Sequence, residues 1–432
     1  MAQMGTNHSA KITADSSNNG GQYLFPLILI TSLFFLWGVA NNLNDILIKQ
    51  FKKAFELTDF QSGLVQSAFY FGYFVLAMPA AIFMKKRGYK AGIMLGLALY
   101  ATGALMFYPA AESRSYNFFL LALFVIASGL AFLETAANPY VAVLGSPQTS
   151  AFRLNLAQSF NPIGSIVGIL VGQQFIFSGV EYTQEQIAQL SPADLEKYYT
   201  SEASAVQIPY LLIGVVVILF IALIWFTKFP TIQEEETTTQ KIPLSTLLGI
   251  KHFRLAVIAQ FFYVGAQVGV WSYLIRYAQN AVTGMPEKEA ASYLTYSLVA
   301  FMIGRFVGTA LLKFVQSHLL MGFYAIACMA LVGVAVVSDG HFGIWALVLT
   351  SFFMSIMFPT IFSLGLTQLG EGTKLGASLL VMAIIGGAIL TALMGLVSDL
   401  QGINVAQIVP LICFGVVAFY GFKGSKITGE VL

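Results

Sequence analysis

Twelve apolar runs, separated by polar or Pro/Gly-marked breaks, limit this chain more than any other feature of it. A hydrocarbon core about 30 Å thick takes about 20 residues of helix to cross, so runs of that length are read as membrane spans. They cover residues 24–48, 60–84, 91–110, 117–144, 152–178, 207–228, 254–280, 290–315, 319–338, 342–369, 375–398 and 404–422. Composition points the same way. Of 432 residues 57% are hydrophobic and 10% charged, whereas a soluble domain carries about 25% charged residues. Lys and Arg number 22 against 20 Asp and Glu, a net charge of +2, too small an excess to neutralise the phosphates of a nucleic acid. Cys328 and Cys413 lie inside apolar runs, and His8, His252, His318 and His341 are scattered singly. That pattern offers no disulfide framework, metal cluster or catalytic Ser/His/Asp or Cys/His spacing, so neither an enzyme nor a bound cofactor is expected. No Gly-x-x-x-x-Gly-Lys-Ser/Thr loop argues for an ATP-driven pump. The expected class is an all-α polytopic membrane protein.

Residues 1–21 are polar, with no apolar region to make a signal peptide, and are expected to form a cytoplasmic tail. Lys85, Lys86, Arg87, Lys90, Arg153, Lys228, Lys241, Lys251, Arg254, Lys313, Lys374, Lys423 and Lys426 fall on one side of the twelve spans. The positive-inside rule makes that side cytoplasmic and both termini internal, with 424–432 a second tail. Lys49, Lys52 and Lys53 run against the rule, beside Glu56 and Asp59. The longest inner break, 229–253, carries Glu234, Glu235, Glu236 and a Thr run, and reads as a linker between six-helix halves at 22–228 and 254–423. An acidic, turn-rich outer segment, 179–206, is expected to be a solvated loop with a short surface helix.

Internal repetition supports the division. Phe69-x-x-Gly72-x-Phe74 in the second run recurs as Phe301-x-x-Gly304-x-Phe306 in the eighth. Pro139 with Leu144-Gly145 in the fourth recurs in register as Pro359 with Leu364-Gly365 in the tenth. Twelve spans in two parallel halves resemble the major facilitator superfamily, which implies a substrate site between the halves near the midplane.

An ionisable side chain inside a span is expensive unless neutralised, paired or hydrated, so each is a candidate for function. Glu134 follows the charge-free stretch 118–133, with Asn138 one turn further along the same face. Asp45 ends the motif Asn41-Asn42-Leu43-Asn44-Asp45 near the outer end of the first run, where it is either a second membrane carboxyl or an interfacial partner of the nearby lysines. Burial in low dielectric disfavours the charged form of a carboxyl. Such a group can take up a proton on one side and release it on the other. Arg305, with Lys313 two turns on, reads as a structural cation near the inner gate.

Two further stripes are polar without charge. Asn155, Gln158, Asn161 and Ser165 share a face of the fifth run, suited either to a polyhydroxy ligand or to interhelical bonding where Gly164, Gly168 and Gly172 permit close approach. Gln260, Tyr263, Gln267 and Trp271 recur at helical spacing in the seventh, followed by Ser272 and Tyr273. They make either an aromatic and amide sugar surface or, at Trp271 and Tyr277, an interfacial belt.

Leu33-Phe34-Phe35-Leu36-Trp37, Ala40-Asn41-Asn42-Leu43-Asn44-Asp45-Ile46-Leu47, Gln66-Ser67-Ala68-Phe69-Tyr70-Phe71-Gly72-Tyr73, Leu133-Glu134-Thr135-Ala136-Ala137-Asn138-Pro139 and Arg153-Leu154-Asn155-Leu156-Ala157-Gln158 resemble bacterial L-fucose:proton symporters. The likeness continues through Tyr263-Val264-Gly265-Ala266-Gln267, Trp271-Ser272-Tyr273-Leu274-Ile275-Arg276-Tyr277 and Pro359-Thr360-Ile361-Phe362-Ser363-Leu364-Gly365. The resemblance implies that Asp45 and Glu134 couple protons and contact sugar, and that Gln158 and Asn161 line the sugar cavity with Asn42 nearby. It also implies that the Glu within the fourth-run motif marks the fucose type, against related glucose/galactose carriers. Two departures are present. The loop after the second run, Lys85-Lys86-Arg87-Gly88-Tyr89-Lys90, lacks the Asp that the superfamily's gate motif carries. Phe358 stands where fucose permeases are expected to have an aromatic hydroxyl before Pro359. The expectation is a monomeric symporter of the bacterial inner membrane that imports L-fucose or a close relative with protons. Its candidate binding residues are Asn42, Asp45, Glu134, Asn138, Gln158, Asn161, Tyr263, Gln267 and Tyr273. A Na⁺-coupled hexose carrier is the alternative, and a non-transporting sugar sensor a more remote one.

Overall fold

The computed structural model describes residues 24–55, 59–143, 147–176, 184–187, 189–229, 243–338 and 340–427. The first tail, most of the linker and residues 428–432 lie outside them. All regular structure in the described residues is helical. The first six crossings are α1 (Leu24–Ala54), α2 and α3 (the two arms of Asp59–Glu112), α4 (Tyr116–Val143), α5 (Ser150–Gln158 and Phe160–Phe175) and α6 (Gln207–Phe226). The last six are α7 (Lys251–Ala281), α8 (Glu287–Leu311), α9 (Ser317–Val337), α10 (His341–Met354 and Met357–Leu366), α11 (Thr373–Met382 and Gly386–Gln401) and α12 (Ile403–Ala406 and Ile408–Phe419). Each of the twelve expected spans is occupied by one of these helices.

Glycine and proline set the breaks. The arms of Asp59–Glu112 meet at Gly88, whose φ of 81° is a left-handed conformation that side chains with a Cβ avoid, inside the expected loop. Proline has no N–H to donate to the carbonyl four residues back. Pro162 therefore leaves the Gln158 carbonyl without a helical donor at the break in α5, and Pro359 does the same to Ser355 at the break in α10.

Burial sorts the helices. In α4 and again in the segment His341–Leu366 of α10, 72% of the most apolar window is buried, against 28% in the segment that holds α6. The fourth and tenth helices are thus central, and α6 presents Leu212, Leu219, Trp225 and Phe226 outward, a surface suited to lipid tails. The repeat noted in the sequence is a repeat of packing. Gly72 lets α2 approach α4 so closely that a Cβ would meet Ala127 and the Phe124 carbonyl. Gly304 brings α8 onto the Phe352 carbonyl of α10 in the same way. Phe69 and Phe301 are both buried, while Phe74 and Phe306 both face out.

Small residues also join α1 to α5. A Cβ on Gly38 would collide with the Asn161 carbonyl, and one on Gly164 with the Phe35 carbonyl. The close-packing role considered for the fifth run therefore holds at Gly164 and at Gly168, which faces Val39.

Lys90 reaches the carbonyls of Trp225 and Thr227 at 2.9 and 2.8 Å, placing a cation at the end of α6 where the helix dipole favours one. At that same lysine-rich end, hydrogen bonds cross between the first and last six helices. Asn155 Nδ2 donates to Thr360 Oγ1 at 3.2 Å, and Ser363 Oγ to Ser150 Oγ at 2.9 Å. Lys374 lies over the Tyr89 ring, 5.0 Å from its centroid. The expected outer loop contains the helix Pro192–Ser204, capped by Ser191, with Glu196 paired to Arg114.

Candidate functional site

Between the two sets of helices lies a cavity of about 240 Å³. One wall comes from Trp37 on α1, Tyr73 on α2, Glu134 on α4, and Gln158, Asn161 and Ser165 on α5. The facing wall comes from Gln267 and Trp271 on α7, Phe301 and Arg305 on α8, and Phe358 on α10. Amides, aromatic faces and two ionisable groups thus converge on a site of small-molecule size.

The polar wall is held in place by its neighbours. Gln158 Nε2 donates to Asn138 Oδ1 at 2.9 Å, and Gln158 Oε1 accepts from Arg305 Nη1 at 3.3 Å. Asn161 Nδ2 reaches the Phe34 carbonyl at 3.3 Å, which leaves its Oδ1 as an acceptor. Trp37 Nε1, which can only donate, gives its proton to Tyr73 Oη at 2.7 Å. The Tyr73 hydroxyl proton is therefore free for a group in the cavity. Phe34 stacks on Trp37 with ring centroids 5.4 Å apart and fixes the indole.

Glu134 is 5% exposed, and among the described residues no cation comes within ion-pair distance of it. A charged carboxylate left uncompensated in such a place costs several kcal/mol. Taking up a proton removes that cost.

Of the nine residues expected to bind substrate, Glu134, Gln158, Asn161 and Gln267 line the cavity. Asn138 is fully buried one layer behind and orients Gln158. The side chains of Asn42 and Asp45, both on α1, lie outside the described residues. Tyr263 and Tyr273 are placed elsewhere. Tyr263 donates at 3.0 Å to the Met354 carbonyl, which ends the first segment of α10 where carbonyls lose their helical donors. Tyr273 donates at 3.3 Å to the Thr391 carbonyl, with Arg276 over its ring. Tyr263→Phe is accordingly expected to cost about 1 kcal/mol of stability and to leave the KM for transport within twofold of wild type. A thermal melt beside an uptake curve checks both.

Two readings of the sequence change, for Tyr277 and Arg305, while Trp271 follows the sugar-surface alternative. Trp271 faces the cavity, and its Nε1 donates to Ser351 Oγ at 3.0 Å. Tyr277 is fully buried and donates to the Ala335 and Ser338 carbonyls at the end of α9, so it does not sit in an interfacial belt. Arg305, expected as a structural cation near a gate, is in the cavity wall. Helical periodicity gave no sign of this, because the direction in which a residue of α8 points depends on where α5 packs.

A family model described as Major Facilitator Superfamily matches residues 28–373. The chain belongs to that superfamily. It is 51% identical over 414 residues to the L-fucose-proton symporter of Escherichia coli strain K12, covering 94% of both chains. It is 38% identical over 422 residues to a glucose/galactose transporter of Brucella abortus, covering 98% of both. A crystal structure of the E. coli fucose:proton symporter superposes with a TM-score of 0.85 at 50% identity, over 93% of this chain and 98% of that one. The transporter therefore sits with the fucose symporters within the superfamily. It is a multi-pass membrane protein of a transporter superfamily, not an enzyme.

Proposed function

We propose that this transporter carries L-fucose together with a proton into the cell across a bacterial inner membrane, by alternating access. The observation that carries the reading is Glu134, buried with no cation partner among the described residues, on the wall of a cavity that both sets of helices share and that is lined largely by amides and aromatic faces. Amides accept from and donate to hydroxyls, and aromatic faces pack against the C–H faces of a sugar. The 51% identity to a named L-fucose-proton symporter supports the substrate. Residues 22–228 and 254–423 act as the two rocking halves, with both termini and the lysine-rich end in the cytoplasm. In that orientation the cross-set bonds at Asn155–Thr360 and Ser150–Ser363 close the inner side. Glu134 takes a proton from outside, with Asp45 sharing this role. Sugar then binds against Gln158, Asn161 and Gln267, and rocking of the halves delivers both inward.

A second reading, sodium-coupled uptake of glucose or galactose, has one observation in its favour. Phe358 makes an apolar patch of cavity wall where a fucose permease is expected to offer a hydroxyl. Competition against labelled L-fucose uptake separates the two. Unlabelled L-fucose is expected to compete at least tenfold more strongly than D-glucose or D-galactose, in sodium-free buffer. The reverse order, with uptake dependent on sodium, would transfer the assignment to the hexose type.

A further inference from the structure

Arg305 lies in the cavity wall with most of its hydrogen-bonding capacity unused among the described residues. Its guanidinium is always charged and carries five N–H donors in a planar fork, yet the residue is 4% exposed. Among the described residues no carboxylate pairs with it. Only Nη1 is engaged, by Gln158 Oε1 at 3.3 Å and by the Gln158 carbonyl at 3.5 Å, both longer than the usual 2.7–3.2 Å of an N–H to oxygen bond. Nε is buried with no partner at all. The Phe301 ring lies against it, 4.9 Å from the guanidinium carbon. Even the carbonyl it reaches is available only because Pro162 has no N–H to give it.

A buried charge with most of its donors unused is expensive, and here the deficit faces a cavity that the proposed sugar would fill. Arg305 also stands on the wall opposite Glu134, Gln158 and Asn161. A ligand that supplies paired oxygens would satisfy the fork and tie α8 to α4 and α5 in one step. Two neighbouring hydroxyl oxygens of a neutral sugar have that spacing and bring no charge toward Glu134. An anionic sugar would be repelled by that carboxyl once it ionises.

Building on the function proposed above, we infer that Arg305 is a substrate-contacting residue that donates to two adjacent oxygens of the bound monosaccharide, displacing its long contact with Gln158. It is thereby the charged sugar contact contributed by the last six helices, and it makes occupancy of the site a bridge between the two sets. A planar fork can span two oxygens at once, whereas the point charge of a lysine cannot.

The test is equilibrium binding to the purified full-length protein, read by the fluorescence of Trp37 and Trp271 in the cavity wall. L-fucose, its monodeoxy derivatives and D-galacturonate are titrated into wild type, Arg305→Lys and Arg305→Gln. Loss of charged hydrogen bonds is expected to weaken L-fucose binding roughly ten- to hundredfold in Arg305→Gln, with Arg305→Lys in between. A deoxy derivative that lacks an oxygen held by Arg305 should bind about tenfold more weakly than L-fucose to wild type and no more weakly than L-fucose to Arg305→Gln. A merely structural arginine would not produce that loss of additivity. Should Arg305→Gln fail to fold, the same comparison in Arg305→Lys decides. Affinities within twofold of wild type in both variants, or equal losses for every deoxy sugar in all three proteins, would overturn the inference while leaving the transport reading intact. D-galacturonate binding more tightly than L-fucose, and losing that advantage in Arg305→Gln, would assign the arginine to an anion instead. Wild type that binds no monosaccharide at all overturns the transport reading and this inference together.

Discussion

Glu134→Gln is expected to abolish accumulation of sugar above its external concentration, while exchange of labelled for unlabelled sugar across the membrane continues. The glutamine keeps the size and hydrogen-bonding capacity of a protonated glutamic acid but never ionises, so it holds the site in its loaded form. Sugar can then bind and cross, because the uncompensated charge that opposes closure is absent. No proton is released inside, and the proton gradient has nothing on which to act. Uphill uptake in proteoliposomes should fall to the equilibrium level, a loss limited by the gradient imposed, while counterflow stays within a few-fold of wild type. Accumulation that persists at the wild-type level would show that the driving proton binds elsewhere. A variant dead in counterflow as well would show that the ionised form is required for sugar binding.

The second large effect concerns architecture. Gly164→Leu should prevent α1 and α5 from packing, because even its Cβ would fall on the Phe35 carbonyl oxygen, a backbone atom that no rotamer change can move aside. Overpacking a close contact costs about 1–3 kcal/mol where side chains can adjust, and this one can be relieved only by separating two helices. The expected result is a loss of more than about 3 kcal/mol, seen as disappearance of the monodisperse peak in size-exclusion chromatography. Gly333→Ala is the control, since the nearest atom to a new Cβ there is Leu411 Cδ1 at 3.7 Å. If both variants elute and melt like wild type, the α1–α5 seam is not the constraint that it is taken to be. The seam matters for the site as well as for the fold. Trp37 and Phe34 on α1 and Asn161 and Ser165 on α5 reach the same cavity only at this separation.

The spans were legible because a bilayer imposes one requirement, a run of apolar helix, and each run meets it with breaks at residues such as Gly88. The amide face of the fifth run was legible too, since Gln158 and Asn161 follow helical spacing and both reach the cavity. Legibility ended where direction depends on a neighbour. Trp271 and Tyr273 are two residues apart and so point to opposite sides of α7; the cavity takes the first, and the Thr391 carbonyl takes the second. Tyr263 lies one turn from Gln267 but is drawn to Met354 by the break in α10, and the pattern of the seventh run carries no trace of a break in the tenth. Arg305 was missed for a related reason. Its nearness to Lys313 in sequence suggested the membrane edge, whereas its contact with Gln158 comes from a helix 147 positions away.

Sugar and proton cross together in this mechanism, and proton movement measures that coupling directly. Right-side-out vesicles in lightly buffered, sodium-free medium are given L-fucose without any imposed gradient, and the external pH is followed. Alkalinisation of the medium that is specific to L-fucose, independent of sodium and absent with Glu134→Gln is the result that this account predicts. An unchanged external pH while labelled L-fucose enters would contradict it.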